Sequence, residues 1–271
     1  MEIVRREKMD KYFRVEVISA TPNPQKTVYA ALHQDYSEQF VYDEFFGVCK
    51  EDSLAIVTPD SDVWNDPFNN KNIDEKTAGN RVVNTCLKYR HWGPVEHPQI
   101  VFNVGWFPHS LMQQFRTHRT GISFDCQSFR YSGKRIYAVA KGELDVEEVF
   151  YLRPVGEYTD RQGKKYSYTE TERSGDIEYC REAAFRYQDK IDGGYSEEHA
   201  RSLIPFDTRQ HFVVSMNLRT CFHILELRML KDAQLEIQVM CEMMLPHLRQ
   251  WAPEIVGFFE EKRLGKNNTS P

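Results

Sequence analysis

Residues 100–107 alternate between two sets of side chains, and this pattern constrains the local fold more than any other part of the chain. One set is apolar and falls on a single side of an extended backbone: Ile100, Phe102, Val104 and Trp106. A period of two predicts a strand with one buried face. Pro108 then predicts the start of a helix over residues 110–118, with Leu111 and Phe115 on its apolar face.

A second strand is predicted over residues 210–216, because Phe212, Val214 and Met216 alternate in the same way. Asn217 is the expected N-cap of a helix over residues 218–229, since its side chain can accept a hydrogen bond from the first turn. One stripe of this helix consists of Arg219, His223 and Leu227, and its first two residues are polar where a core-facing stripe would be apolar.

Two further helices are predicted. One covers residues 174–191 and ends at the Gly193-Gly194 pair. The other begins near Asp232, which is expected to cap it. Its apolar face consists of Ile237, Met240, Cys241 and Met244.

Residues 59–72 and 159–175 are polar and rich in turn-forming residues, so both are predicted to be loops. Strands and helices do not alternate regularly, and the chain has no Gly-x-Gly-x-x-Gly sequence of the common dinucleotide fold. We expect an α+β fold in which a central, mostly antiparallel sheet is flanked by helices. The expected single domain covers residues 1–265, and residues 266–271 form a disordered tail.

Charge, apolar run length and cysteine spacing together argue against several classes of protein. The 271 residues carry a formal net charge of −5, with a pI near 6.0, whereas general nucleic-acid binding requires a broad basic surface. No apolar run approaches the ~20 residues of a membrane span, and the N-terminus lacks a signal-peptide pattern. The six cysteines form no Cys-x-x-Cys pair, which favours reduced thiols in a cytoplasmic protein.

Residues 113–132 stand out from this acidic background because they combine three arginines with a histidine, serines and amides. Arginine offers a bidentate fork to phosphate oxygens, and serine offers a hydroxyl donor. The segment is therefore predicted to bind a phosphorylated ligand. Its candidate binding residues are Gln113, Arg116, His118, Arg119, Gln127, Ser128 and Arg130.

The same segment resembles the motif of the flavin-dependent thymidylate synthases, which is Arg-His-Arg, seven residues, Ser, one residue and Arg-Tyr. The first part corresponds to Arg116-Thr117-His118-Arg119, and the second to Ser128-Phe129-Arg130-Tyr131. Two departures are present, since Thr117 separates Arg116 from His118 and the gap before Ser128 is one residue longer. Either Thr117 or His118 takes the role of the middle position.

Four further segments resemble elements of that family in order, namely residues 91–97, 200–205, 217–228 and 233–237. The first contains two histidines and a glutamate, which could suggest a metal site. The histidines are six positions apart with a proline between them, so the side chains do not share one helical face and no metal site is expected. Where some relatives carry a histidine before the Ala-Gln pair, this chain has Lys231-Asp232.

The resemblance implies an enzyme that methylates dUMP to dTMP reductively, with FAD as cofactor, methylenetetrahydrofolate as carbon donor and NADPH as reductant. It also implies a homotetramer with shared active sites. Arg228 is the implied catalytic residue, which stabilises negative charge on the uracil. The implied dUMP-binding residues are Gln113, Arg116, Gln127, Ser128, Arg130, Arg201 and Arg228. The implied FAD-binding residues are His91, Arg116, His118, Arg119, Asn217, Arg219 and His223.

Two alternatives remain at the level of sequence. One is a nucleotide-binding protein that has lost turnover, and the other is a different flavin-dependent, nucleotide-modifying enzyme on the same scaffold. Cys126 raises a separate question, because thiolates can attack a uracil ring. No base stands near Cys126 in the sequence, so we interpret it as a small side chain in a nucleotide-binding loop.

Overall fold

The computed structural model describes residues 10–47, 64–68, 71–160 and 162–266. Its strands are β1 (Arg14–Ala20), β2 (Gln99–Pro108), β3 (Ile122–Cys126), β4 (Gly156–Thr159), β5 (Lys165–Tyr168) and β6 (Arg209–Asn217). Its helices are α1 (Pro24–His33), α2 (Val41–Phe46), α3 (Glu75–Thr85), α4 (His109–Phe115), α5 (Lys134–Ala140), α6 (Val146–Val149), α7 (Glu170–Asp192), α8 (Glu197–Ala200), α9 (Leu218–Arg228), α10 (Leu235–Trp251) and α11 (Pro253–Lys262).

The central sheet has four strands in the order β1-β2-β6-β3, and every neighbouring pair is antiparallel. Strands β4 and β5 form a separate antiparallel hairpin. The larger apolar core joins β1, β2 and β6 to α1, α3, α4, α9, α10 and α11, and a smaller one joins α5, α6 and α7. The predicted α+β architecture with an antiparallel sheet is confirmed.

The alternation predicted for β2 holds only as far as Val104. A bulge between Gly105 and Phe107 changes the register, and Trp106 has a φ of 67°. Phe107 is therefore buried, whereas the prediction placed Trp106 on the apolar face. The ring of Trp106 instead stacks against the Arg135 guanidinium at 4.1 Å from the ring centroid. The prediction for Trp106 is wrong because a bulge inserts one residue into the period of two.

Helix α4 is shorter than predicted, and residues 116–118 lie in the turn that follows it. The predicted buried face of α4, Leu111 and Phe115, is confirmed. In β6, the alternation of Phe212, Val214 and Met216 into the core is confirmed as well. Asn217 caps α9 as predicted, because its Oδ1 accepts from the Thr220 N–H at 2.8 Å.

Two predicted boundaries are wrong. Residues 159–175 are not one loop, because they contain β5 and the first turns of α7. Thr169 and Glu172 cap the start of α7 reciprocally, and this capping box begins the helix four residues earlier than predicted. Asp232 does not cap the next helix, since α10 begins at Leu235. The end of α7 at Gly193 is confirmed.

Part of the predicted loop over residues 59–72 and the tail beyond residue 266 lie outside the described residues. The described part of that loop contains one bridge between Asn65 and Asn72. Within the described ranges, no helix has both the length and the apolar character needed to cross a bilayer.

Candidate functional site

The central strands β2 and β6 each run directly into a helix, and these two helices position the site. Because the strands are antiparallel, α4 follows β2 at one end of the sheet and α9 follows β6 at the other. The C-terminal ends of the helices then meet. Arg228, the last residue of α9, donates from Nε to His118 Nε2 at 3.0 Å. Its Nη2 donates to Thr117 Oγ1 at 3.2 Å.

His118 is held in its neutral form. Its side chain is buried, with 8% of the residue exposed. Burial, followed by the charge of Arg228 and the proximity of His223, lowers the pKa of His118 to about 4. A neutral ring that accepts a hydrogen bond at Nε2 carries its proton on Nδ1. The ring of His223 approaches edge-on, with the ring centroids 5.4 Å apart.

The guanidinium of Arg228 therefore rests on two neutral acceptors, His118 and Thr117. No salt bridge between Arg228 and a carboxylate occurs among the residues that the structure describes. A partly buried cation without a counter-ion is an unfavourable arrangement unless an anion binds beside it. Both Thr117 and His118 take part in holding Arg228, so the inserted residue of the motif does not displace the histidine.

A cleft of about 580 Å³ opens next to this contact. It lies between the end of α4 and the start of β3, and it is lined by Gln113, Arg116, Thr117, His118, Arg119, Ile122, Ser123 and Phe124. Arg116 and Arg119 are exposed, and neither forms an ion pair within the described part of the chain. The cleft is thus cationic in a protein of net charge −5, which suits an anionic ligand.

The loop between Arg119 and β3 is fixed to the start of α9. Asn217 N–H donates to the Gly121 carbonyl at 3.1 Å, and Thr220 Oγ1 donates to the Thr120 carbonyl at 2.9 Å. Gly121 has a φ of 64°, and a Cβ on it would lie 2.3 Å from Asn217 Nδ2. Only glycine fits this close approach in that conformation. Asn217, a predicted flavin-binding residue, therefore also holds the cleft loop in place.

Three other predicted binding residues lie near one another at the end of α8. Arg130 pairs with Glu198 of α8 at 2.6 Å, and the Arg130 N–H donates to Ser128 Oγ at 3.3 Å. Arg201 begins the 3₁₀ turn Arg201–Leu203 that follows α8 directly. Arg130 and Arg201 thus both lie beside α8, with Ser128 next to Arg130, and none of the three lines the cleft described above.

A third group joins the first turn of α9 to residues 91–97. Arg219 pairs with Glu96, which ends the 3₁₀ turn Gly93–Glu96. His91 lies beside this turn, with its Nε2 3.7 Å from Asp35 Oδ2. Neither His91 nor Arg219 lines the cleft within one chain. The predicted residues therefore fall into three separate groups.

Gln127 follows β3, and both of its backbone groups are bonded to β6. Its N–H donates to the His211 carbonyl at 3.0 Å, and its carbonyl accepts from Gln210 Nε2 at 3.2 Å. Burial raises the pKa of the neighbouring Cys126 thiol, so this thiol is protonated at neutral pH. The structure thereby favours the interpretation of Cys126 as a small side chain over that of a nucleophile.

Sequence reasoning missed three residues at the site. Ser123 and Phe124 line the cleft. His109 contacts Gln113 from one helical turn away. The spacing of four residues between His109 and Gln113 was the available signal, because residues i and i+4 are neighbours on a helix.

Comparisons with known proteins show matches over nearly the whole chain. A family model described as "Thymidylate synthase complementing protein" matches residues 16–254. The chain is 31% identical over 259 residues to a flavin-dependent thymidylate synthase of Haloarcula marismortui, covering 94% of this chain and 98% of the relative. It is 30% identical over 265 residues to the enzyme of that name from Halobacterium salinarum, covering 95% and 100%.

Among solved structures, the fold is similar to that of the UMP/dUMP methylase PolB from Streptomyces cacaoi bound with 5-Br dUMP. The TM-score is 0.66 at 19% identity, and the match covers 92% of this chain and 95% of the other. At this level of identity, the likeness supports the arrangement of strands and helices.

Proposed function

Because the chain belongs to the flavin-dependent thymidylate synthase family, we propose that it makes dTMP by reductive methylation of dUMP. In this proposal FAD is the flavin, methylenetetrahydrofolate is the carbon donor and NADPH is the reductant. The relatives are named flavin-dependent thymidylate synthases, and these names specify neither the flavin nor the reductant. FAD and NADPH are therefore our own assignments.

The contact of Arg228 with His118 and Thr117 carries the proposal most directly. Methylation at C5 of uracil requires electron density on the ring, and ionisation of the ring N–H supplies it. A guanidinium held on neutral acceptors keeps its charge available for the anion that develops, and it does not need to reorganise during the reaction. Arg228 is therefore the residue that we assign to activation of the uracil.

The residues around the cleft fit a flavin nucleotide. Arg116 and Arg119 provide two guanidinium groups without ion-pair partners in the described residues, as a pyrophosphate requires. His118, His223 and Asn217 offer polar groups nearby. When bound, FAD would supply the hydride that completes the methyl group. The protein would bind and orient both ligands and stabilise charge.

Ser128, Arg130 and Arg201 are the residues that we assign to the dUMP phosphate, with Gln113 and Gln127 holding the nucleotide. Arg130 forms an exposed pair with Glu198, which a phosphate can displace at small cost because such pairs contribute little to stability. His91 and Arg219 lie apart from the cleft of their own chain and would complete the flavin site. A homotetramer with shared sites explains this separation, and it is part of the proposal.

Two alternatives make different predictions. A nucleotide-binding protein without turnover would bind dUMP and yield no product, and another flavin enzyme would reduce its flavin without forming dTMP. The test is anaerobic incubation of the purified protein with FAD, NADPH, methylenetetrahydrofolate and dUMP, followed by chromatography of the nucleotides. We expect dTMP that depends on both FAD and the folate. Oxidation of NADPH without dTMP, or dUMP binding without flavin, would support the respective alternative.

The five cysteines in the described residues are free thiols. This agrees with the cytoplasmic location that we include in the proposal.

A further inference from the structure

His109, the first residue of α4, forms part of a hydrogen-bonded chain that connects two proposed dUMP-binding residues. Gln113 Nε2 lies 2.7 Å from His109 Nε2. His109 Nδ1 lies 2.5 Å from Gln210 Oε1, and Gln210 Nε2 donates to the Gln127 carbonyl at 3.2 Å. Gln113 lines the cleft, whereas Gln210 is buried, with 5% of the residue exposed.

The Gln127 carbonyl sets the direction of the hydrogen bonds that link Gln127 to Gln113, because a carbonyl can only accept. Gln210 must point its amide nitrogen at that carbonyl, so its Oε1 faces His109. Nδ1 of His109 must then carry a proton. The Gln113 Nε2 that faces His109 Nε2 is an amide nitrogen and can only donate, so Nε2 of His109 accepts from it. The Gln113 Oε1 is left without a partner among the described residues.

Both the backbone at the start of α4 and the ring of His109 are held in place. Its backbone N–H donates to the Thr208 carbonyl at 3.1 Å, and the Ser110 N–H donates to Asp207 Oδ1 at 3.1 Å. The ring of Phe206 meets the imidazole edge-on, with the ring centroids 5.1 Å apart. The imidazole thus has a fixed orientation from which to direct a flexible, exposed glutamine.

We propose that His109 is a positioning residue that fixes the Gln113 amide with its oxygen toward the cleft, where that oxygen accepts a hydrogen bond from the nucleotide substrate. The inference rests on the function proposed above. The substrate must then present an N–H or O–H donor at this point. A phosphate dianion has no such donor, so Gln113 contacts either the N3–H of uracil or the ribose 3′ hydroxyl of dUMP.

The test combines protein variants with nucleotide analogues. Dissociation constants are measured by calorimetry in the presence of FAD for dUMP, for dCMP, whose N3 carries a lone pair, and for 2′,3′-dideoxyuridine monophosphate, which lacks the 3′ hydroxyl. The proteins are the wild type, His109→Phe, His109→Gln and Gln113→Ala. Phenylalanine keeps a ring against Phe206, and glutamine returns an oxygen near the position of Nε2. Circular dichroism checks the fold of each variant.

We expect the wild type to prefer dUMP over one of the two analogues. His109→Phe frees the Gln113 amide to turn, so it should lose about three- to tenfold of that preference, the effect of one neutral hydrogen bond. Gln113→Ala should lose a similar amount, and His109→Gln should retain part of the preference. The analogue that responds identifies the donor, with dCMP indicating N3–H and the dideoxy nucleotide indicating the 3′ hydroxyl.

A purely structural role for His109 would weaken binding of all three nucleotides equally and leave the preference intact, and this result would overturn the inference. Equal binding of the three nucleotides by the wild type would overturn it as well, while the proposed function would stand. If the wild type did not bind dUMP, the proposed function would fail and the inference would fall with it. If His109→Phe does not fold, the preference for dUMP over its analogues is compared between the wild type, His109→Gln and Gln113→Ala instead.

Discussion

Replacing Arg228 by alanine should abolish most turnover while the fold and the bound flavin survive. A guanidinium about 4 Å from a developing unit charge contributes about 4 kcal/mol at an effective dielectric constant of about 20. This energy corresponds to a loss of about 10³-fold in kcat. Flavin should stay bound, because Arg116 and Arg119 line the cleft and the substitution leaves both in place, as well as the contacts of the cleft loop with Asn217 and Thr220 at the start of α9.

The same substitution should have a second, independent effect on His118. Burial is the largest cause of its lowered pKa, and the charge of Arg228 is the next. Without Arg228, the pKa of His118 should rise from about 4 and should still remain below its ordinary value of 6.5, since the ring stays buried. Nuclear magnetic resonance titration of the imidazole protons in the flavin-free protein measures this shift.

Arg186→Ala is the matched control, because Arg186 pairs with Glu182 on the exposed face of α7. It should leave kcat, flavin binding and the pKa of His118 unchanged. Full activity in Arg228→Ala would remove the assignment of Arg228 to uracil activation. An unchanged pKa of His118 in that variant would show that the observed contact does not exist in solution.

Three further predictions concern stability. Gln25 accepts from the first two backbone N–H groups of α11, at 3.0 and 3.2 Å, so Gln25→Ala should lower the free energy of unfolding in urea by roughly 2–3 kcal/mol. Gly121→Ala should destabilise the protein and weaken flavin binding, because the added Cβ would displace Asn217. Gly163→Ala is the control, since Gly163 has a φ of 86° with open space around it. It should lower the free energy of unfolding by only about 1 kcal/mol and leave flavin binding intact. His118 binds a proton near pH 6.5 in the unfolded protein and near pH 4 in the folded protein. Its contribution to the free energy of unfolding is therefore complete above pH 6.5. This contribution is lost as the pH falls toward 4, because the unfolded protein then binds the extra proton. His118→Gln should therefore reduce the slope of unfolding free energy against pH in that window, by roughly 3 kcal/mol in total at most; an unchanged slope would contradict the buried, neutral histidine.

Much of this protein follows from sequence alone because the relevant signals are local. A period of two defines β2 and β6, and Asn217 marks the start of α9 by the same capping chemistry that the structure shows. The arginines of residues 113–132 predict an anion-binding segment by residue type alone. The order of several such segments indicates the family, which the comparisons confirm.

Irregularities such as a bulge, which break the alternation of side chains along a strand, cannot be predicted from that alternation. Trp106 occupies the position that alternation assigns to the core, and a bulge set by the pairing of β2 with β6 moves Phe107 there. The predicted start of α7 is wrong for a different reason. Thr169 and Glu172 have the residue types and spacing of a capping box, but the surrounding residues are polar and turn-forming, and that composition favours a loop.

The tertiary structure alone decided which of the distant residues meet. Arg228 and His118 are 110 positions apart in sequence, and they touch only because two antiparallel strands send α4 and α9 toward one another. The same packing buries His118, which lowers its pKa and makes it a neutral acceptor. Sequence determines which groups are available and which elements carry them, since side-chain type and local periodicity are properties of the chain itself. Their protonation and mutual orientation depend on burial and long-range contacts, which exist only in the folded protein.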